Sequence, residues 1–277
     1  MRLINQKISR PTHVALAALP FVLAIIAYMV ASDLRLQVNP ADKLLPSFTS
    51  MADAFWRMAA EPDRRSGDIL LWGDTWASLA RLGIGVGIST LLAILLGIPI
   101  GLIPVARSTL SSFVSTLSLI PPITVLPILF IMVGLGELSK VSLIVFGTAP
   151  VMVRTIALAV AELPKELLIK AQTLGASTWQ IIVRVVLPQV LPRVVVAIRL
   201  GLVPAWIFLI SAEAIASTEG LGYRIFLVRR YLAMDIILPY VAWITVIAVV
   251  LDRGLLMLSR KAFRWAHLGE DTEGGGL

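Results

Sequence analysis

At 277 residues, 58% hydrophobic and only 15% charged, with a mean hydropathy of +0.89, the chain is far more apolar than a soluble domain, where about a quarter of residues are charged. That composition excludes a disordered protein, a coiled coil, a nucleic-acid module and a water-soluble enzyme, each of which needs more polar surface. The net charge of +7 acquires meaning only once it is placed along the chain, and the absence of Cys removes disulfides, thiolate metal sites and thiol nucleophiles.

A helix needs about 20 apolar residues to cross roughly 30 Å of hydrocarbon. In chain order, residues 14–32, 82–106 and 108–136 carry no charge at all. The first exceeds the roughly 7–15 apolar residues of a signal-peptide core and reads as a retained anchor between His13 and Asp33. A polar outer segment, 33–76, follows, with Pro40, Pro46 and Pro62 and a short amphipathic helix near 50–60. Segment 108–136 holds Pro121, Pro122 and Pro127, which remove backbone donors. A helix plus irregular backbone is expected there, set against protein or a water-lined cavity. Three further spans carry charge near an end: about 139–161 with Arg154, about 194–216 with Arg199 and Glu213, and about 235–258 with Asp252 and Arg253. The sequence therefore predicts an all-α polytopic membrane protein of about six transmembrane helices.

Placing the N terminus inside puts fourteen of the 24 Lys and Arg on inner segments, and most acidic residues outside. Both termini are then cytoplasmic. The chain divides into an inner N terminus (1–13), the anchor (14–32), the outer segment (33–76), a core (77–262) containing a long inner loop (163–188), and a tail (263–277) ending in three glycines and a leucine.

The inner loop spends specific chemistry on helix starts and stops. Pro164 suits a first helical position, and Gly175 suits the left-handed residue that ends a helix. Ser177 and Gln180 form an S-x-x-Q capping box before the apolar run 181–187, and Pro188 is expected to close the second helix. Ala171, Gly175, Val185, Leu187 and Pro188 reproduce the E-A-A-x3-G-x9-I-x-L-P signature, and on this motif the chain resembles the permeases of binding-protein-dependent ABC importers. Ile169 stands where that pattern has Glu and Lys170 where it has its first Ala; Glu166, one turn earlier, is the nearest acid. Segments 120–130, 134–140, 212–214 and 220–225 resemble the nitrate, sulfonate, taurine and bicarbonate group, over roughly residues 70–265. Residues 163–235 also resemble members associated with small nitrogen compounds.

The resemblance implies a type I importer permease (MetI-like) fold in a bacterial inner membrane. Two copies form the pore, ATPase subunits grip the two coupling loops, and a periplasmic or lipid-anchored binding protein delivers the solute. Its coupling residues here are Glu166, Lys170, Ala171, Gly175, Ala176, Ser177, Trp179, Val185, Leu187 and Pro188. Residues 134–140 lack the Gly before Lys of a phosphate-binding loop, so the energy source is a partner.

Pathway candidates are the proline break at Pro121 and Pro122 with Thr124, Ser118 and Thr116, together with Trp206, Trp243 and the in-span acid Glu213. Each has a structural alternative: a kink for the prolines, packing for the tryptophans, and for Glu213 an acid that caps backbone donors or pairs with an Arg. Gly83, Gly87, Gly97 and Gly101 read as small-xxx-small packing positions. Arg229 and Arg230, on the outside, face a docking protein or are a solvated or headgroup-facing pair. No cluster of His, Cys or carboxylates suggests a catalytic centre, metal site or cofactor; His13 and His267 sit near opposite ends. A membrane-embedded enzyme and a stand-alone ion-coupled transporter are the rivals. Paired ionisable groups at one depth would favour the first, and internal repeats with several buried acids the second.

Overall fold

A computed structural model describes residues 9–40, 42–63 and 67–267. The first eight residues and the glycine-rich tail lie outside the described residues. The fold is helical, with no strand among the described residues: α1 (Arg10–Val38), α2 (Phe48–Ala60), α3 (Leu70–Leu102), α4 (Pro104–Leu117), α5 (Pro122–Val133), α6 (Glu137–Ala161), α7 (Lys165–Thr173), α8 (Thr178–Ala216), α9 (Leu221–Arg229) and α10 (Met234–Ala262). Five helices are long and apolar enough to span a bilayer, and there are six crossings if α4 and α5, bent by 93° at their break, are taken together as one span, as they are below. Connectivity then sets the α3–α4 junction, α7 and the end of α10 on one side, called here the loop side, with α2, the α5–α6 turn and α9 on the far side.

Three boundaries differ from the sequence expectation. The span placed at 82–106 begins at Leu70, and Arg81, expected at its outer limit, is buried inside α3 because carboxylates surround its guanidinium. Pro164 is the N-cap of α7 rather than its first helical residue. Pro188 does not end a helix. A π turn over Ile182–Val186 widens the coil just before it, so the missing N–H is absorbed and the helix runs on through Ala216. At 1.5 Å per residue, α8 is roughly 58 Å long, nearly twice the hydrocarbon thickness, so its first turns stand outside the membrane.

The tightest seam joins α3 to α6. A Cβ added to Gly85, Gly97 or Gly101 would come within 2.7, 2.9 and 2.5 Å of Ile144, Ile156 and Val160 respectively. Ser89 completes the stripe, its hydroxyl 2.7 Å from that of Thr148. Gly97 and Gly101 therefore pack within the chain, whereas Gly83 and Gly87 are exposed on it, and a Cβ added to either would meet nothing within 4 Å. Two apolar clusters fill the bundle, one toward the far side around Leu143, Leu209 and Tyr240, the other toward the loop side around Ile156, Val186 and Val190. Helix α1 stands apart, its most apolar window unburied. It is held near its end by Tyr28, which donates to Pro46 O at 2.7 Å, and by Ser32, which donates to Leu45 O at 2.9 Å.

Candidate coupling loop and translocation pathway

The hairpin α7–α8 is closed by its own ends. Gly175 has φ +79°, where glycine alone is unstrained, and the chain there wraps so that the N–H groups of Gly175 and Ala176 donate to Gln172 O and Ala171 O at 2.9 and 3.0 Å. Both arms of the capping box form: Gln180 N–H donates to Ser177 Oγ at 3.3 Å, and Ser177 N–H to Gln180 Oε1 at 2.8 Å. Ala171, Ala176, Val185 and Leu187 turn inward, half-buried against the loop-side cluster with Leu168 and the buried Ile181. Glu166, Lys170, Gly175, Ser177, Trp179 and Pro188 face outward. Ile169 and Leu174, the latter 85% exposed, project from and just after α7, a helix too short and too polar to span lipid, and Trp179, 72% exposed, projects from the first turn of α8. Together they make this face a candidate contact surface. Leu174 was missed in the sequence because it follows the motif's alanines and matches no fixed position.

At the pathway candidates, Pro121 caps α5 in an extended conformation, and the hydroxyls around it are already engaged. Thr124 Oγ1 donates to Pro121 O at 2.7 Å, Thr116 Oγ1 to Ser112 O at 2.9 Å and Ser118 Oγ to Ser115 O at 2.7 Å, while Arg154 Nη1 donates to Ser118 Oγ at 3.0 Å. Pro121 and Thr124 are exposed and Pro122 half-buried. Trp206 lies elsewhere, buried in the far-side cluster with an indole N–H that has no hydrogen-bond partner. Trp243 is packed against Phe55 and Trp72, and its N–H donates to Thr75 Oγ1 at 3.0 Å. Arg229 and Arg230 are exposed, Arg229 lying over the Phe226 ring.

Glu213 is fully buried, and both its oxygens are engaged. It accepts Ser78 Oγ at 2.8 and 2.9 Å, Arg81 Nη1 at 2.8 Å and Gly222 N–H at 2.9 Å. The next two donors at the start of α9 are held the same way: Gly220 N–H by Asp74 Oδ1 and Leu221 N–H by Ser78 Oγ, each at 2.9 Å. Three N–H groups that a helix start leaves without partners thus end on α3 and α8 side chains. Asp74 also binds Arg224 at 2.7 Å, and Arg81 extends the network to Glu137 at 2.5 Å and Glu219 at 3.3 Å. Among the described residues no group of His, Cys, Asp or Glu is arranged to hold a metal ion.

Residues 89–264, from mid-α3 through the end of α10, match the family of binding-protein-dependent transport system inner membrane components. The chain belongs to that family. It is 36% identical over 199 residues to the taurine transport system permease protein of Escherichia coli strain K12, covering 72% of each chain. It is 29% identical over 206 residues to the bicarbonate transport system permease protein of Synechococcus elongatus, covering 73% of each. The fold resembles the permease chain in an inward-facing structure of the MetNI methionine ABC transporter, with a TM-score of 0.58 at 23% identity over 69% of this chain and 95% of that one. The protein is accordingly a multi-pass permease component of an ABC importer, with a MetI-like fold. Within the family match lie the hairpin, the proline break and Glu213, whereas α1, α2 and the acid–base partners Asp74, Ser78 and Arg81 precede it.

Proposed function

We propose that this permease moves a small solute bearing an oxyanion group, and that ATPase subunits drive it by gripping the α7–α8 hairpin. A second copy completes the pathway, a binding protein delivers solute to the far side, and the loop side with both termini is cytoplasmic. The observation that carries this reading is the two-faced hairpin. Its inner face packs into the loop-side cluster, to which α3, α4 and α6 also contribute, while its outer face offers Leu174, Trp179 and Ile169 to a partner. Relatives named for taurine and bicarbonate support the oxyanion, since one carries a sulfonate and the other is an oxyanion itself.

The mechanism is a lever. Helix α8 begins within the hairpin and continues without a break to Glu213, whose carboxylate ties it to α3 and α9. Displacement of the hairpin when the ATPase pair closes is carried along α8 to the far-side network, the rigid-body rocking by which such transporters alternate access. The chain has no phosphate-binding loop, so hydrolysis belongs to the partner.

Gly175→Val tests the coupling. No neighbour lies within 4 Å of a Cβ at Gly175, so its cost is backbone strain at φ +79°, about 1–2 kcal/mol for an L residue and more for a β-branched one. The variant is expected to insert and to reach normal abundance, yet to lose uptake through loss of ATPase binding or coupling in reconstituted vesicles. Normal uptake would remove the hairpin from the mechanism.

A further inference from the structure

We propose that the groove between α4 and α6 on the loop side is an oxyanion-binding site of the permease itself, built on Arg107 and Arg154. The inference rests on the permease reading above and adds a place for the ligand's charged group.

A cavity of about 330 Å³ opens there, within the range of small-ligand sites. Its walls come from two helical stripes. Arg107, Ser111 and Ser115 follow one another at four-residue intervals along α4; Arg154, with Val153, Ala157 and Ala161, lines the α6 side. No acidic side chain lines it. Arg154 lies seven residues before the end of α6, roughly 10 Å inside the span, where a charge must face protein or water rather than lipid. Among the described residues its one hydrogen bond is to the neutral hydroxyl of Ser118, and no carboxylate lies within 4 Å of it. By contrast Arg81 and Arg199 each meet a carboxylate, at 2.8 and 2.7 Å. Arg107 is held in place through two donors, to Ile100 O at 3.2 Å and to Gly101 O.

Two guanidiniums, two serine hydroxyls and no acid form a donor set matched to the planar or trigonal oxygens of a sulfonate, bicarbonate or phosphate group, which Arg binds through two parallel N–H donors. The contact through Ser118 matters because that residue lies at the bend between α4 and α5, three residues before Pro121. An anion that draws on Arg154 competes with the one hydrogen bond joining α6 to the bend, so occupancy and the shape of the broken span are linked.

The same oxygens occur on a solute and on the phosphate of a lipid headgroup, and the test separates them. The permease–ATPase complex is placed in nanodiscs of zwitterionic phosphatidylcholine, without binding protein, and titrated with radiolabelled methanesulfonate. Saturable binding is expected, weakened about tenfold or more by Arg154→Gln, less by Arg154→Lys, and also by Ser111→Asp, which adds a negative charge and leaves both arginines in place. In nanodiscs containing phosphatidylglycerol, native mass spectrometry reads lipid retained by the complex. Retention that depends on Arg154, with no methanesulfonate bound in phosphatidylcholine, assigns the oxyanion to a headgroup. Insensitivity of both ligands to Arg154→Gln and Ser111→Asp overturns the site. ATP-dependent, binding-protein-dependent uptake by the unsubstituted complex is measured alongside: uptake without Arg154-dependent binding defeats the groove alone, and absence of uptake defeats the permease reading.

Discussion

Glu213 illustrates what a single residue can and cannot announce. Its depth in a span was legible from the sequence, and so was the neighbouring Gly-Leu-Gly. The physical link between them was not, because Asp74, Ser78 and Arg81 lie far away in the chain and meet the motif only in the fold. The glycines make room: a Cβ on Gly220 would come within 2.6 Å of the Glu213 carboxylate, and one on Gly222 within 2.9 Å of the Ile210 backbone. With every oxygen engaged, the geometry favours the structural reading of this acid over solute recognition. Glu213→Gln removes the charge facing Arg81, and breaking a buried pair costs on the order of 3 kcal/mol. The expected outcome is a melting temperature lowered by several degrees in detergent and less assembled complex. An unchanged melting temperature combined with abolished uptake would return Glu213 to the solute.

At the scale of elements, local signals are legible in the sequence and rotational phase is not. The capping box and the left-handed glycine of the hairpin depend on residues within a few positions, so sequence alone suffices to place them. Pro188 misleads because a proline stops a helix only where nothing compensates, and here a π turn does. The glycines of α3 show the same limit, because a spacing of four marks a ridge of small residues but not the neighbour it meets. Gly85 and Ser89, not Gly83 and Gly87, share the seam with Gly97 and Gly101. The consequence is measurable by thermal unfolding of the purified chain. Gly101→Ala drives a Cβ to 2.5 Å from that of Val160 and is expected to cost about 1–3 kcal/mol. Gly87→Ala meets nothing and gains up to about 1 kcal/mol of helix propensity. The reverse order of stabilities would mean that α3 packs on α6 through its other face.

Across the whole molecule, hydropathy located the five long apolar helices and the bent α4–α5 pair, since apolar length is fixed by the bilayer and needs no tertiary knowledge. What it could not locate was where the helices exceed the membrane: Arg81 ends one span on paper because a charge without visible partners reads as a boundary, and the first turns of α8 read as a separate loop helix. Those excess turns connect the far-side network to the hairpin through one continuous helix. If this hairpin is a cytoplasmic handle for a separate motor, its exposed face is covered by that motor, and the absence of cysteine from the chain lets a single thiol report it. Trp179→Cys creates one thiol on its exposed face. A membrane-impermeant maleimide is expected to label it in inside-out vesicles stripped of the ATPase, to be excluded when the ATPase is bound, and to leave intact spheroplasts unlabelled. Labelling from the outer surface, or equal labelling with and without the ATPase, would contradict the account.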